Sequence, residues 1–277
     1  MASETASAPG GHYGVADLRS RIDEALVVAG LGAGPISWDQ LVALDQFHTG
    51  GLRMSRRLAG GLDLHPESQV LDIGSGLGGA ARFLASTYGC HVTGVDLTEA
   101  FVDVSIELSA RASLAGWTAF RQADALALPF TDGAFDRALS QHVAMNIADR
   151  ARLYAEAHRV LRPGALIGLH DVTQGHGGPL RYPVPWARGP ETSFLLTAEE
   201  MRSTLARTGF TELSFVDLTD QTLEEAGRRR PAKDGTPQPP LRLDVVMGPD
   251  FQVMGANLRR NLEEGRARVV QMIERRD

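Results

Sequence analysis

Residues 70–79, with the sequence VLDIGSGLGG, constrain the fold of this 277-residue chain more than any other stretch. Their apolar start is typical of a buried strand, and an amphipathic helical pattern follows them. Between the two, glycines alternate with other residues, so the turn is tight and its backbone can approach a ligand at the N-terminus of the helix. This pattern predicts the first strand, turn and helix of a doubly wound α/β sheet.

Short apolar runs alternate with amphipathic stretches through the rest of the chain, which is typical of successive βα units. The stretch 267–273 fits either the end of a helix or a closing edge strand. Capping and turn residues predict where the elements begin and end. The predicted strands are 70–73, 91–95, 118–122, 137–140, 165–169 and 211–216, and the predicted helices are 77–88, 98–115, 149–161, 197–209 and 251–262.

The chain divides into a tail, a cap and a main domain. Residues 1–12 have almost nothing to bury, which predicts a flexible tail. Residues 13–60 carry apolar positions at helical spacing, which predicts a helical N-terminal cap. Residues 61–277 are predicted to form the sheet domain, with an insertion around 219–262. Within that insertion, the polar and proline-rich stretch 227–240 is predicted to be an exposed loop.

The composition excludes several classes of protein. A net charge of −6, with no dense run of Lys or Arg outside residues 228–230, argues against a nucleic-acid partner. The single cysteine, Cys90, rules out an internal disulfide framework and a thiolate zinc site. No apolar run reaches about 18 residues, and no signal-peptide pattern is present. We therefore expect a cytoplasmic protein that acts on a small molecule, contacts no membrane and is compatible with a homodimer.

Asp72 lies at the end of the first predicted strand, directly before the alternating glycines. A dinucleotide site needs the spacing Gly-x-Gly-x-x-Gly for its pyrophosphate, and a carboxylate at this point would repel a diphosphate. S-adenosylmethionine (SAM) instead carries a cationic sulfonium and an amino group, which tolerate a carboxylate. The loop therefore favours SAM over NAD.

Asp96 and Asp124 follow the next two predicted strands and complete a cofactor site. Asp96 can accept hydrogen bonds from both ribose hydroxyls of an adenosine. Asp124, followed by Ala125 and Leu126, can accept the adenine amino group while its apolar neighbours cover the ring. The structural alternatives are helix caps for the two aspartates and a plain βα turn for the glycines.

Five motifs, within about residues 43–215, resemble those of class I SAM-dependent methyltransferases. They are VLDIGSGLGG (70–79), VTGVDL (92–97), DALALPF (124–130), FDRALSQHVAMNI (135–147) and RVLRPGALIGLHD (159–171). The resemblance implies a Rossmann-like fold with a mostly parallel seven-stranded sheet, helices on both faces and methyl-transfer activity. The candidate SAM contacts are Asp72, Gly74, Ser75, Gly76, Gly78, Asp96, Leu97, Asp124, Ala125 and Gln141.

Four segments look like the sarcosine/dimethylglycine N-methyltransferase branch of that class: DQFHTGG (45–51), GSGLGGAARFLA (74–85), QHVAMNI (141–147) and RYPVPWA (181–187). This resemblance implies an amine nitrogen as the methyl acceptor. Natural-product methyltransferases that act on phenols or carbon are similar to the same branch, so an O- or C-methyltransferase is the alternative. A SAM-binding cyclase or regulatory protein that transfers no methyl group is the alternative from another class.

Methyl transfer from a sulfonium is an in-line substitution, so the acceptor needs alignment and the loss of its proton. His142 is the first candidate base, because it follows the fourth strand at the ligand-binding edge and is expected to titrate near neutrality. His170, at the end of the fifth strand, is the second. The histidines and acids show no metal-ligand spacing, so we expect no catalytic metal. The candidate acceptor contacts are Gln46, His48, Met145, Asn146, Tyr182 and Trp186.

Overall fold

A computed structural model describes residues 17–228 and 239–277. The predicted tail at 1–12 and most of the predicted loop at 227–240 lie outside the described residues. Within them, seven strands form one sheet: β1 (Gln69–Ile73), β2 (His91–Asp96), β3 (Thr118–Gln122), β4 (Phe135–Gln141), β5 (Leu161–Gln174), β6 (Phe210–Asp217) and β7 (Ala267–Arg276).

The strands lie in the order β3-β2-β1-β4-β5-β7-β6. β7 is antiparallel to both of its neighbours, and the other adjacent pairs are parallel. This confirms the predicted Rossmann-like fold with a mostly parallel seven-stranded sheet. Each of the six strands predicted outright lies within an observed strand.

In chain order, helices lie before the first strand and between later strands. None of the described helices is both long enough and apolar enough to cross a membrane. The helices are α1 (Leu18–Val28), α2 (Val42–Asp45), α3 (Leu52–Ala59), α4 (Gly79–Tyr88), α5 (Glu99–Arg111), α6 (Arg150–Val160), α7 (Ala198–Arg207), α8 (Thr219–Arg228), α9 (Asp244–Met247) and α10 (Phe251–Glu263), and short 3-10 turns lie at Trp38–Leu41, Ala144–Asn146 and Pro190–Thr192.

The ambiguous stretch near the C-terminus is an interior strand. β7 lies between β5 and β6, so it is neither the end of a helix nor an edge strand. Val269 and Val270 project to opposite faces and join different apolar clusters. A strand that is buried on both faces has a continuous apolar run, and such a run does not distinguish a strand from a helix by its periodicity.

The described part of the N-terminal region, residues 17–60, packs over the sheet domain. Leu18, Ile22 and Leu26 lie on one face of α1 and are buried in a cluster that includes Phe101 of α5. A buried ion pair, in which Arg82 Nη2 of α4 lies 2.8 Å from Asp45 Oδ2 of α2, ties the two regions together. Breaking such a buried pair costs about 3–5 kcal/mol. The segment that follows Asp45 is thereby held over the carboxyl ends of the strands.

Candidate active site

A cavity of about 580 Å³ lies at the carboxyl ends of the parallel strands, beneath the segment that follows α2. Doubly wound sheets bind ligands at this edge. We call one side of the cavity the cofactor wall; it consists of Asp72, Gly74, Ser75, Gly76, Asp96, Leu97, Thr98, Asp124, Ala125 and Leu126. A second part of the lining, which adjoins the first where Val143 meets Gly74 and Phe47 meets Gly76, is called the acceptor wall. It consists of Gln46, Phe47, His48, His142, Val143, Met145, Asn146, Ile147, Pro185, Trp186, Phe194 and Met247.

The turn after β1 brings bare backbone to the cavity. Gly74 and Gly76 have φ values of 76° and 53°, in the left-handed region that favours glycine. The amide of Gly76 donates to Asp96 Oδ2 at 2.9 Å, which fixes the turn against the end of β2. A Cβ atom on Gly76 would lie 3.1 Å from the Phe47 ring, and one on Gly74 would overlap Val143. The cradle therefore excludes side chains at both positions.

Asp96 and Asp124 each hold their own loop and also line the cavity. Asp96 accepts the amides of Gly76 and, through Oδ1, of Thr98 at 2.9 Å. Asp124 Oδ1 accepts the amide of Leu126 at 2.8 Å. Carboxylate oxygens have more than one lone pair, so these bonds leave acceptor capacity toward a ligand. The capping role and the ligand role thus fit the same two side chains.

Asp72 is the group that best identifies the charge of the ligand. Its side chain is buried and lines the cavity, and its Oδ2 atom has no hydrogen-bond partner in the described part of the chain. Burial, and then the nearby charge of Asp96, raise the pKa of Asp72 to about 7. A cationic ligand would pair with this carboxylate and relieve both effects, as a sulfonium and an ammonium group would.

Three histidines meet on the acceptor side of the sheet. The ring centroids of His142 and His170 are 5.2 Å apart, and that of His48 lies 5.5 Å from His170 and 6.1 Å from His142. His142 directly follows β4, and His48 comes from the segment after α2. His170 lies within β5, where it pairs with Gln141 of β4, and not at the strand's end as predicted, because β5 continues to Gln174. Among the described residues, no group of three or more His, Cys, Asp or Glu is arranged to hold a metal ion.

The three rings are uncharged at neutral pH. Burial, and then the neighbouring His170, lower the pKa of His48 to about 3, and burial lowers the pKa of His170 to about 4. Burial, followed by the charges of His170 and His48, lowers the pKa of His142 well below its usual value. The expectation that His142 titrates near neutrality is therefore wrong, because the rings crowd one another in the interior.

Two hydroxyl groups connect these rings, and neither was a candidate from sequence. Thr49 Oγ1 lies 3.1 Å from His142 Nε2 and 3.2 Å from His170 Nε2. Ser55 Oγ lies 3.0 Å from His48 Nε2, and its single proton can go to Oε1 of Gln46, at 2.9 Å, or of Gln141, at 3.3 Å. The sequence signal that could have found them was the DQFHTGG motif, which contains Thr49 and ends four residues before Ser55.

A buried carboxylate holds the loop that carries His142. Asp171 Oδ1 accepts the amide of Val143 at 3.1 Å, and burial raises the pKa of Asp171 to about 7. Asp171 is itself fixed because it follows His170 on β5. The sequence did not predict this contact, because nothing in it pairs Asp171 with the loop after β4.

Three candidate contact residues do not reach the cavity wall. Gly78 is the N-cap of α4, and a Cβ atom on it would lie 2.7 Å from Phe120, so it serves the turn and not the ligand surface. His170 is fully buried behind the wall, where it contacts Thr49. Tyr182 packs into the apolar cluster beside α10, whereas Trp186 lines the cavity. The other candidate cofactor and acceptor residues all line it.

Comparison with known proteins agrees with this geometry. Residues 71–169 match the family model described as a methyltransferase domain. The chain is 32% identical over 180 residues to a glycine/sarcosine/dimethylglycine N-methyltransferase of Actinopolyspora halophila, which covers 65% of this chain and 32% of that protein. It is 28% identical over 186 residues to the O-methyltransferase resE of Aspergillus sclerotiorum, which covers 66% of this chain and 70% of that one. The chain thus spans about a third of one relative's length and somewhat over two thirds of the other's.

A solved structure has the same fold. Geranyl diphosphate C-methyltransferase from Streptomyces coelicolor A3(2), in complex with Mg²⁺, geranyl diphosphate and S-adenosyl-L-homocysteine, superposes with a TM-score of 0.66 at 19% identity, over 81% of this chain and 78% of that one. The strand order, the glycine turn with its acidic partners and the match over 71–169 lead to one conclusion. The chain has the fold of class I methyltransferases, matches a methyltransferase domain over residues 71–169, and resembles the sarcosine/dimethylglycine N-methyltransferase branch of that class.

Proposed function

We propose that this domain transfers the methyl group of SAM to an oxygen atom of a small, largely apolar acceptor that carries no carboxylate or phosphate group. One observation carries the proposal. The described residues that line the cavity include five aspartates and no Lys or Arg. A carboxylate or phosphate group on the acceptor would have no cationic partner among these residues.

The cofactor wall supports SAM as the methyl donor. Asp72 would pair with the positively charged part of SAM, the backbone at Gly74 and Gly76 would accommodate its methionine portion, and Asp96 would accept the ribose hydroxyls. Asp124 and Ala125 would contact the adenine. These residues fit the group because the cradle admits no side chain and the buried Asp72 oxygen lacks a protein partner among the described residues.

The acceptor wall is apolar around its histidines. Phe47, Met145, Trp186, Phe194 and Met247 supply most of its large side chains. Such a surface gains free energy by covering apolar groups, at about 25 cal/mol per Å². It supports an aromatic or otherwise hydrophobic acceptor over a compact zwitterion such as sarcosine.

SAM, when bound there, would supply an electrophilic methyl group, which a lone pair of the acceptor would take while both electrons of the S–CH3 bond stay on sulfur. The chain's own residues align the acceptor and exclude water from the reaction. His142 would contact the acceptor atom, and His170 would support His142 from behind. The acceptor's proton leaves to solvent, because rings with such low pKa values take up no second proton at neutral pH.

An amine nitrogen is the second candidate acceptor. The observation that favours it is the 32% identity to a glycine/sarcosine/dimethylglycine N-methyltransferase, a higher value than the 28% to the O-methyltransferase. In favour of oxygen, the match covers 70% of the O-methyltransferase and only 32% of the N-methyltransferase. The amine alternative requires an acceptor that binds uncharged among several aspartates.

The test is a panel of matched aromatic acceptors incubated with the protein and SAM. Each set keeps one ring system and varies one group: a phenol, the corresponding amine, and the phenol with an added carboxylate. We expect S-adenosylhomocysteine release and a one-methyl mass increase with the phenol, and much less with the other two. Preferential methylation of the amine would establish the second candidate. Preference for the carboxylate-bearing phenol would contradict the apolar assignment, and SAM binding without any methyl transfer would indicate a non-methylating protein.

A further inference from the structure

We propose that Thr49 holds His142 in the tautomer that carries its proton on Nδ1, so that His142 offers the acceptor a hydrogen-bond donor and selects an oxygen anion or carbonyl. This inference rests on the function proposed for the same cavity. Thr49 follows His48 in the chain and makes hydrogen-bond contacts with the rings of His48, His142 and His170. It is a positioning residue, because it acts on the acceptor through His142.

The position of the His170 proton follows from its neighbours. His170 Nε2 lies 3.1 Å from the carbonyl oxygen of Thr49, which can only accept. A second carbonyl, that of Val270, also acts on the ring, but more weakly than that of Thr49, and His170 Nδ1 is buried with no hydrogen bond of ordinary geometry to any described residue. A proton on Nδ1 would have only this weaker partner, and the lone pair of Nε2 would then face the lone pairs of the Thr49 carbonyl at 3.1 Å. His170 therefore carries its proton on Nε2.

The Thr49 hydroxyl transmits this assignment to His142. Oγ1 lies between Nε2 of His170, at 3.2 Å, and Nε2 of His142, at 3.1 Å. A protonated His170 Nε2 cannot accept the hydroxyl proton, so the hydroxyl donates to His142. The backbone N–H of Thr49, which can only donate, also faces His142 Nε2, at a longer 3.5 Å. Two donors thus converge on His142 Nε2, and the proton of that ring resides on Nδ1.

This arrangement changes what His142 can do to an acceptor. No hydrogen bond between described residues engages its Nδ1, and its ring lines the cavity. The lone pair of the ring is occupied by Thr49, so the ring cannot take a proton in this tautomer. An N–H donor instead stabilises an oxygen anion. It therefore lowers the pKa of a bound phenol or enol and favours release of the acceptor's proton to solvent. The chemistry selects phenols and enols over amines.

The backbone holds the ring in place. His142 has a φ of 56°, which is uncommon for a residue other than glycine, and its amide donates to the carbonyl of His170 at 2.8 Å. Strained backbone of this kind persists where the surrounding structure requires it, often at functional sites. The hydrogen bond that the amide of the next residue, Val143, donates to Asp171 Oδ1 supports the same turn.

The tautomer is measured directly by NMR on protein labelled with ¹⁵N-histidine, because protonated and bare ring nitrogens have well-separated shifts. His142→Asn identifies the His142 signals among those of the eight histidines. At neutral pH we expect a proton on Nδ1 of His142 and on Nε2 of His170 in the native protein and in Thr49→Ser. In Thr49→Val we expect His142 to lose its preference for the tautomer protonated on Nδ1. A proton on Nε2 of His142 in the native protein, or an unchanged pattern in Thr49→Val, would overturn the proposal.

Thr173→Val is the matched control for Thr49→Val. It makes the same change in shape at a buried threonine of β5 whose hydroxyl has no hydrogen-bond partner in the described chain. We expect it to leave the histidine signals unchanged. A shift as large as that of Thr49→Val would show that the effect comes from general repacking.

The catalytic consequence is tested with two variants that replace the His142 ring by an amide side chain. In His142→Asn the side-chain NH2 can occupy the place of Nδ1, whereas in His142→Gln it reaches the place of Nε2. With a phenolic acceptor we expect His142→Asn to retain at least about a fifth of native turnover and His142→Gln to fall about 10²-fold, as when an anion-stabilising donor is lost. For each variant, turnover is divided by the concentration of protein that binds SAM. Greater activity of His142→Gln would refute donation through Nδ1. If no acceptor is methylated, the proposed function fails, and the NMR result still decides the tautomer.

Discussion

The two walls of the cavity differ in how the chain builds them. The cofactor wall is made from short motifs at consecutive strand ends, and its key bonds join near neighbours, as between Gly76 and Asp96, 20 residues apart. The acceptor wall joins distant segments, as between Thr49 and His142, 93 residues apart. The first presents carboxylates, and the second presents uncharged rings among apolar side chains. We therefore expect changes in the cofactor wall to alter SAM affinity and changes in the acceptor wall to alter turnover.

The largest effect is expected from Gly76→Val. A side chain at this position would meet the Phe47 ring, and valine strains a backbone with positive φ. The strain alone costs about 1–3 kcal/mol, and with the blocked cradle we expect SAM affinity to fall by about 10³-fold or more. Calorimetric titration measures this. Gly164→Val is the control, since Gly164 also has a positive φ of 79° but meets nothing nearby. Native SAM affinity in Gly76→Val would break the assignment of the cofactor wall.

His142→Ala tests the acceptor wall. We expect turnover to fall by about 10²-fold, because an aligned donor to the acceptor atom is lost, while SAM affinity changes by less than about twofold. Single-turnover rates and SAM titrations on the same preparation separate the two effects. If His142→Ala keeps more than about a tenth of native turnover, His142 is a packing residue. A parallel loss of SAM affinity would show that the two walls do not act separately.

Asp96→Ala, which changes the cofactor wall, is expected to have a smaller effect. Loss of a charged acceptor for two hydroxyls should weaken SAM binding by about 1–3 kcal/mol. The Gly76 and Thr98 amides also lose their partner, so thermal unfolding must be measured beside affinity. Asp136→Ala removes a carboxylate that accepts an amide from Gln69, away from the cavity, and should leave SAM affinity intact. Unchanged affinity in Asp96→Ala would refute the ribose assignment.

The pH dependence of turnover tests whether the rings of the acceptor wall stay uncharged, in contrast to the carboxylates of the cofactor wall. The low pKa values of His48, about 3, and His170, about 4, and the lowered pKa of His142 keep the rings neutral through the working range. Turnover should therefore rise with pH at a midpoint set by the acceptor. Two phenols that differ by one unit in pKa should shift the midpoint by about one unit, a change of up to tenfold at a fixed pH. A midpoint that stays fixed for both phenols would implicate a group on the protein.

The smallest effect concerns Asp72. Its pKa of about 7 means that the side chain is largely protonated below that pH and ionised above it. Because the ionised form pairs with the cationic ligand, SAM affinity should increase as pH rises through about 7, by up to tenfold per unit on the acidic side. Asp72→Asn should bind SAM more weakly and lose this part of the dependence. The same slope in Asp72→Asn would assign it to another group, including the amino group of SAM.

The fold and the cofactor wall could be predicted to a large extent because their information is local. Residues 70–79 contain strand, turn and helix in one stretch, and Asp96 and Asp124 occupy equivalent places after the next two strands. Parallel strands place such ends at one edge, so a one-dimensional pattern specifies a three-dimensional site. The strand β7 was ambiguous, because burial on both faces removes the alternation by which strands are recognised.

The acceptor wall depends on contacts that no local pattern contains. His142 was a candidate for its place after β4, but its low pKa arises only when His48 and His170 are packed beside it. Thr49 is an ordinary residue of a cap segment until the Asp45–Arg82 pair holds that segment over the sheet. The sequence by itself determined the α/β sheet, the glycine turn and its acidic partners. Tertiary structure alone decided the charge and proton positions of the histidines, because both depend on burial and on neighbours that are remote in the chain.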